Sequence, residues 1–224
     1  IMFGSRNFLF AKSSGAAPFT GGKLFMWGYN SFGNLGLGNK INRSSPVQVG
    51  ADTDWARVAS GWSTIAVKTN GTLWSWGANY SGALGQNNTI SRSSPVQVGA
   101  LTNWSIPMIG NTNSFCIKTN GTLWAWGYNS TGQLGLGDTV NRSSPVQIGT
   151  STGWTAITAG GPNSYDYSVS AVDNGKLFAW GFNFAGVLGQ NDTIARSSPV
   201  QVGALTTWKN PASSRFTLCT KTDG

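Results

Sequence analysis

The stretch "LWAWGYNSTGQLGLGDTVNRSSPVQIG" at residues 123–149 occurs in closely related form four times in this chain of 224 residues. A Trp-Gly pair precedes the arginine of the closing octet by 16 residues, as from Trp27 to Arg43, and another tryptophan follows that arginine by 12, as from Arg43 to Trp55. Fixed spacing at a period near 50 residues predicts a repeat architecture. The residues that keep the spacing are Trp27, Trp76, Trp126, Trp180, Arg43, Arg92, Arg142, Arg196, Trp55, Trp104, Trp154 and Trp208.

Each repeat is composed of short strands and turns. "TLWSWG" (72–77) alternates and is rich in aromatic residues, and "WARVAS" (55–60) and "STIAVKT" (63–69) are two further strand candidates. "PVQVG" (95–99) predicts a strand that begins at its proline, and Asn-Gly at 70–71 is a hairpin signal. No helical periodicity competes with these patterns. Four short strands in each repeat predict an all-β fold, a β-propeller of four-stranded antiparallel blades.

The repeats divide residues 23–224 into four units, and the first segment of the chain lies outside them. Residues 1–22 are expected to contain a closing strand and a linker. The predicted boundaries of the repeats are 23–71, 72–121, 122–175 and 176–224.

The composition argues against catalysis. Charged residues make up 10% of the chain, histidine is absent, and all seven acidic residues are aspartate. Most acid–base and metal-dependent sites use histidine or glutamate, so we expect no enzyme, no cofactor and no metal site. The net charge of +8 is distributed among the repeats rather than concentrated in one patch, which argues against nucleic acid as a partner. No apolar run is long enough to predict membrane insertion.

Most residues that recur in each repeat are expected to be structural. The repeated arginines are expected to bond loop carbonyls or stack on tryptophans, with anion binding as the alternative, and the repeated tryptophans to pack in the core or between blades. Cys116 and Cys219 are expected to be buried, unpaired thiols. Four polar residues share one loop position, and we expect their side chains to stabilise a turn, with a cation site as the alternative. Those residues are Asn39, Asn88, Asp138 and Asp192.

The repeat spacing is broken at "GGPNSYDYSVS" (160–170), where the third unit is longer than the others. Tyr165, Asp166 and Tyr167 lie in this insertion. Loops on a rigid scaffold often carry function, and tyrosine is favoured in recognition, so these three residues are the candidate binding residues. The alternative is a tolerated insertion whose aromatic side chains cover the edge of a blade.

The repeat resembles the regulator of chromosome condensation repeat. The residues that carry the resemblance are the strand ending in Trp-Gly, the Asn-x-x-Gly-Gln-Leu-Gly-x-Gly loop at 129–137 and the Pro-x-x-Val type of strand; "VASGWSTIAVKTNG" (58–71) resembles the other half of the repeat. The resemblance implies a propeller, usually of seven blades. Four repeats are seen here, so we expect them to form part of a larger ring of about seven blades, with a closed four-bladed ring as the alternative. Copies that diverge this little are similar to those of phage and bacterial surface proteins.

The function expected from these observations is a non-enzymatic structural or interaction propeller. The resemblance implies a virion component, such as a tail, fibre or capsid-surface protein, whose partners are other proteins of the assembly or a host-surface glycan or protein. A secreted or cell-surface location is the alternative. The family also implies a guanine-nucleotide exchange factor or chromatin binder, and Asp52 and Asp54 before Trp55 leave open a carbohydrate-binding or carbohydrate-cleaving protein.

Overall fold

A computed structural model describes residues 20–160, 168–213 and 217–222, and these residues form strands and turns without a helix. No helix that could cross a membrane therefore occurs among the described residues. All strand pairs are antiparallel. The strands are β1 (Phe25–Gly28) and β2 (Arg43–Gln48) in a two-stranded sheet; β3 (Trp55–Ser60), β4 (Ser63–Lys68), β5 (Leu73–Gly77) and β6 (Arg92–Gln97); β7 (Trp104–Ile109), β8 (Asn113–Lys118), β9 (Leu123–Gly127) and β10 (Arg142–Gln147); β11 (Trp154–Ala159), β12 (Ser168–Asp173), β13 (Lys176–Gly181) and β14 (Arg196–Gln201); and β15 (Trp208–Ser213) with β16 (Thr217–Lys221).

Successive sheets pack on one another through their first strands. β7 contacts β3 and β4 of the sheet before it, β11 contacts β7 and β8, and β15 contacts β11 and β12. The second strands β4 and β8 are buried along their whole length, because each lies inside one sheet and beneath the next. This is the packing of propeller blades, as the repeat predicts. The described residues form three complete blades with a half-blade on either side, consistent with part of a larger ring.

The blades are offset from the sequence repeats. β3 and β4 come from the repeat at 23–71, whereas β5 and β6, which complete the same sheet, come from the repeat at 72–121. Each repeat therefore supplies the outer half of one blade and the inner half of the next. No repeat is able to form a blade alone, and hydrogen bonds within the sheets join successive repeats.

Three tryptophans of the Trp-Gly pairs lock neighbouring blades together. Trp76, Trp126 and Trp180 are fully buried. Each indole Nε1–H donates to a carbonyl in the loop of the preceding repeat, at 3.0 Å to Asn34, 2.8 Å to Ala83 and 3.0 Å to Gln133. The tryptophans that open β3, β7 and β11 pack edge-to-face against them, with ring centroids 5.8, 6.1 and 6.2 Å apart.

The first and last repeated tryptophans differ from this expectation of core packing. Trp27 is 58% exposed, and Trp208 is only partly buried. The described residues contain no earlier repeat whose loop carbonyl would accept from Trp27. They also contain no Trp-Gly strand after β16 that would pack on Trp208.

The strand of the repeated octet begins earlier than its proline. β6 starts at Arg92, so Pro95 is its fourth residue. β6 lies at the edge of its sheet, and its pairing with β5 jumps from Ser75↔Val96 to Gly77↔Arg92. The irregularity leaves Pro95 outside the paired residues, and its missing N–H therefore costs no ladder hydrogen bond.

The two cysteines are both unpaired, but they are not equally buried. Cys116 is fully buried, and desolvation raises the pKa of its thiol to about 12. Cys219 is only partly buried, in contrast to the expectation of a buried thiol. The reason is its position on β16, which lies in a two-stranded sheet, whereas Cys116 lies on β8 with a strand on either side.

Candidate functional site

The repeated arginines have different partners in different repeats. Arg142 and Arg196 form ion pairs with the aspartates four residues earlier, at 2.5 Å to Asp138 and 2.6 Å to Asp192. Their Nη1 atoms also donate to the carbonyls of Val140 and Ile194, at 2.7 and 2.8 Å. In these two repeats the arginine stabilises the loop that precedes it, and the aspartate neutralises its charge.

The two aspartates also form the turns that precede β10 and β14. The backbone N–H of Val140 donates to Asp138 at 2.9 Å, and this hydrogen bond, with the arginine beside it, lowers the pKa of the carboxyl below its ordinary value of 3.8. The backbone N–H of Ile194 and Arg196 lower the pKa of Asp192 in the same way. Asn39 and Asn88 accept the equivalent backbone bond from Ile41 and Ile90.

We expect the protein to lose stability in acid partly through these two carboxyls. Because both have a lower pKa in the folded state, their stabilisation is present above 3.8 and is lost as the pH falls through that value toward the folded pKa. Thermal unfolding midpoints measured from about pH 6 down to about pH 2.5 should fall less steeply in the Asp138→Asn, Asp192→Asn double variant. Equal slopes in the two proteins would contradict the assignment.

Arg92 has no carboxylate partner, because its repeat has Asn88 where the later repeats have aspartate. Its Nε–H donates to Oε1 of Gln86 at 3.2 Å. Gln86 is held in turn by its Nε2, which donates to Oγ of Ser75 at 2.9 Å. The Nη atoms of Arg92 form no hydrogen bond or ion pair with the described residues. A guanidinium is therefore held in a fixed position with four N–H bonds available to a ligand.

A cavity of about 500 Å³ lies beside Arg92, between the edge of one blade and the next. Trp104 and Trp124 form an aromatic wall, with ring centroids 5.8 Å apart and planes at 76°. Gln97 and Asn87 add side-chain amides. We call this space the Arg92 cavity. Its lining residues are Gly85, Gln86, Asn87, Asn88, Arg92, Val96, Gln97, Val98, Gly99, Leu101, Trp104, Trp124, Ser144 and Pro145.

A second cation lies behind the aromatic wall of the Arg92 cavity. Lys118 is 5% exposed, and its Nζ lies 4.5 Å from the ring centroid of Trp104 and 3.7 Å from that of Trp124. Burial lowers the pKa of Lys118 from its ordinary 10.5. Cation–π contacts at these distances stabilise the ammonium without neutralising it.

The equivalent lysine one blade earlier is neutralised. Nζ of Lys68 lies 2.8 Å from Asp52 and 3.1 Å from Asp54, and these carboxylates hold the pKa of Lys68 above 10.5 despite the opposing effect of burial. Asp52 and Asp54 are thus ion-pair partners of a structural lysine, an arrangement that does not favour the acid–base pair of a glycosidase. The described residues contain no cluster of three potential metal ligands from histidine, cysteine and acidic side chains.

An exposed aromatic cluster lies apart from the repeated positions. Phe32 contacts Tyr29, Trp62 and Tyr80, with ring centroids 6.2, 5.3 and 5.6 Å apart. Tyr29, Trp62 and Tyr80 are 57%, 45% and 65% exposed. These four residues, the aromatic cluster, belong to the first two repeats, and the third repeat has Tyr128, Thr131 and Ser130 at the positions of Tyr29, Phe32 and Tyr80. This cluster was not predicted from the sequence, although aromatic residues at loop positions that other repeats fill with small residues were a usable signal.

Tyr165, Asp166 and Tyr167, the candidate binding residues of the insertion, lie outside the described residues. They remain a prediction from the sequence. The Arg92 cavity and the aromatic cluster are the two candidate sites that the described residues contain.

Comparison with protein families identifies the repeat. The model of the "Regulator of chromosome condensation (RCC1) repeat" matches residues 21–67, 70–117, 120–164 and 174–216, which is most of the chain. No curated protein matches the sequence significantly.

Solved structures share the fold at low sequence identity. Human WBSCR16 is 22% identical in sequence with a TM-score of 0.75, and the match covers 89% of this chain and 53% of the WBSCR16 chain. Prp20p from Saccharomyces cerevisiae, studied with its binding properties to Gsp1p and histones, is 18% identical with a TM-score of 0.72, covering 88% and 51%. The structure of Kap60 bound to yeast RCC1 (Prp20) is 19% identical in sequence with a TM-score of 0.67, and the match covers 98% of this chain and 58% of that one. This chain thus spans little more than half the length of the structures it matches, and its four matched repeats show that it belongs to the regulator of chromosome condensation repeat family.

Proposed function

We propose that this protein is a non-enzymatic interaction propeller that forms part of the surface of a phage virion. In this role the blades are a rigid frame, and the aromatic cluster is the contact surface for another protein of the assembly. The single observation that carries the proposal is the exposure of this cluster on an otherwise repetitive molecule. Tyrosine and tryptophan are enriched in protein interfaces and contribute much of their binding energy.

A second exposed feature recurs once in every repeat and supports a role in assembly. Each loop before the octet strand presents a branched apolar side chain that is about 60% exposed. Such a row offers one equivalent contact per blade to a repetitive partner. The residues are Ile41, Ile90, Val140 and Ile194.

The virion context rests on the resemblance of these little-diverged copies to the repeats of phage and bacterial surface proteins, and the sparse charge supports the scaffold role. The octet differs between copies only at its seventh residue, where 142–149 has isoleucine for valine. With 10% charged residues the surface is solvated chiefly by amides and hydroxyls. These features favour a structural component over a regulator that reads a charged partner.

Mass spectrometry of particles purified from cultures that carry the reading frame tests the location. We expect peptides of this protein to copurify with intact particles through a density gradient. A variant carrying Tyr29→Ser, Trp62→Ser and Tyr80→Ser should be incorporated at least about tenfold less, because the loss of even one interface aromatic that contributes about 2 kcal/mol exceeds the roughly 1.4 kcal/mol that corresponds to a factor of ten. Phe184→Ser, which changes an exposed aromatic residue outside the cluster, is the matched control.

Recovery only as a free protein would contradict the virion role, and equal incorporation of the triple variant would contradict the contact surface. The exchange-factor or chromatin-binding alternative makes a different prediction. It requires nucleotide release from a small GTPase, or DNA binding that weakens steeply with salt.

A further inference from the structure

We propose that the Arg92 cavity binds a carboxylated saccharide, with the carboxylate on Arg92 and a sugar face against the tryptophan wall. This inference goes beyond the scaffold role, since it assigns a ligand class to one site. It is independent of the aromatic cluster and of the virion context.

The cavity differs from its equivalents in the neighbouring repeats. In the repeat before it, Gln86 and Asn87 are replaced by Leu37 and Gly38, so the polar loop residues are missing. Leu101 is replaced there by Asp52, which places a carboxylate at the corresponding position of the lining.

The equivalent site in the following repeat has lost the same features. Leu136 and Gly137 replace the two polar loop residues, and Phe178 replaces Trp124. Its arginine is occupied by the ion pair between Arg142 and Asp138. An unneutralised arginine, polar loop side chains and two tryptophans therefore coincide only in the Arg92 cavity among these three sites. The other two sites show that the blades pack without these residues, so the fold alone does not require them.

The electrostatics of the cavity favour an anion. None of its lining residues is acidic, and Lys118 stacks on both tryptophans of the wall without an ion-pair partner among the described residues. Arg92 is aligned by Gln86 rather than by a carboxylate. A planar guanidinium with available N–H groups matches a carboxylate through two parallel hydrogen bonds.

The remaining lining residues favour a sugar over an acidic peptide. Trp124 is only partly buried and offers flat apolar surface for the C–H face of a pyranose, whereas Trp104 is 3% exposed and supports the Trp124 ring from the core. Oε1 of Gln97 and Nδ2 of Asn87 have no hydrogen-bond partner among the described residues, although Nε2 of Gln97 is fixed by the carbonyl of Gly99 at 3.0 Å and Oδ1 of Asn87 accepts from Ser144 at 3.3 Å. These anchored amides are placed to bind sugar hydroxyls. A cavity of about 500 Å³ is within the usual range for small-ligand sites.

Calorimetric titration of the full chain with 3′-sialyllactose, digalacturonate and neutral lactose tests the proposal. We expect at least one acidic saccharide to bind and lactose to bind about tenfold more weakly, since the charge-assisted hydrogen bonds are lost. Asn88→Asp should weaken acidic-sugar binding about tenfold, because the new carboxylate would pair with Arg92 as Asp138 pairs with Arg142. The fold tolerates aspartate at this loop position in two repeats.

The reverse substitution, Asp138→Asn, is the matched control and should leave binding unchanged, as should Arg142→Met. Arg92→Met is a second variant that removes the cation without adding a negative charge, and thermal melting checks that each variant is folded. The proposal is overturned if neither acidic saccharide binds, if lactose or inorganic phosphate binds as well as they do, or if Asn88→Asp and Asp138→Asn behave alike. Tighter binding of a polyaspartate peptide than of either sugar would overturn it in favour of a protein ligand.

Discussion

Trp126→Ala is expected to cost about 3–5 kcal/mol of the free energy of unfolding, which is a large share of the stability of a domain of this size. Trp126 is fully buried among the apolar side chains of two blades, and its Nε1–H donates to the carbonyl of Ala83 at 2.8 Å. Removing the side chain opens a cavity between the blades and takes away one of two donors to that carbonyl, which keeps the hydrogen bond from Oγ of Ser114 at 2.8 Å. A urea titration followed by intrinsic fluorescence and far-ultraviolet circular dichroism measures the loss.

Trp27→Ala is the matched control, because Trp27 holds the same position in the first repeat and is 58% exposed. Its substitution should cost less than about 1 kcal/mol, as is usual at exposed positions. Similar losses for the two variants would mean that the repeated tryptophans do not act through the packing between blades.

Gly121→Ala is expected to cost about 3 kcal/mol, the sum of backbone strain and steric overlap. Gly121 lies in the turn between β8 and β9 with φ at +75°, a conformation that favours glycine. A Cβ there would overlap the carbonyl oxygen of Thr152, in the segment before β11. That segment is anchored to the same turn, because the N–H of Trp154 donates to the carbonyl of Gly121 at 3.1 Å. The same denaturation measurement determines the cost.

Gly149→Ala separates the two contributions. Gly149 also has a positive φ of +56°, but a Cβ at this position would meet nothing within 4 Å. Its substitution should cost about 1 kcal/mol from backbone strain alone. If both variants lose the same stability, steric contact between the turn and the next blade contributes nothing.

The strands could be predicted from the sequence because the same buried positions recur in each repeat. "WARVAS" coincides with β3, and "STIAVKT" exceeds β4 by one residue. The start of β6 was missed because an edge strand tolerates Pro95 at an irregularity, which a rule that places proline at the first residue does not anticipate. The different burial of Cys116 and Cys219 was missed for another reason. The repeated sequence predicts the same environment for both cysteines, whereas the burial of each cysteine depends on which strands lie beside its own strand.

The candidate sites were less accessible to sequence reasoning. The change from Asn88 to Asp138 is visible in the printed repeats, but its effect on the arginine depends on a side-chain contact across one turn. The Arg92 cavity combines residues from two blades, among them Trp124 and Ser144, that no local motif connects. The aromatic cluster depends on the meeting of three loops at Phe32. Proximity of this kind arises from the packing of blades, which single-repeat patterns do not encode.

The offset between blades and repeats has an evolutionary consequence. Each repeat contributes half of two successive blades, and the second, third and fourth repeats each donate the same tryptophan hydrogen bond to the one before. The described junctions between repeats therefore share the bond that joins them. Near-identical octets in the protein imply similar coding sequences, at which misaligned copies of a gene recombine. A crossover there adds or deletes one whole period and rebuilds intact junctions on either side. Such a gene is able to change its number of blades in one genetic event, without any intermediate that exposes an unmatched core.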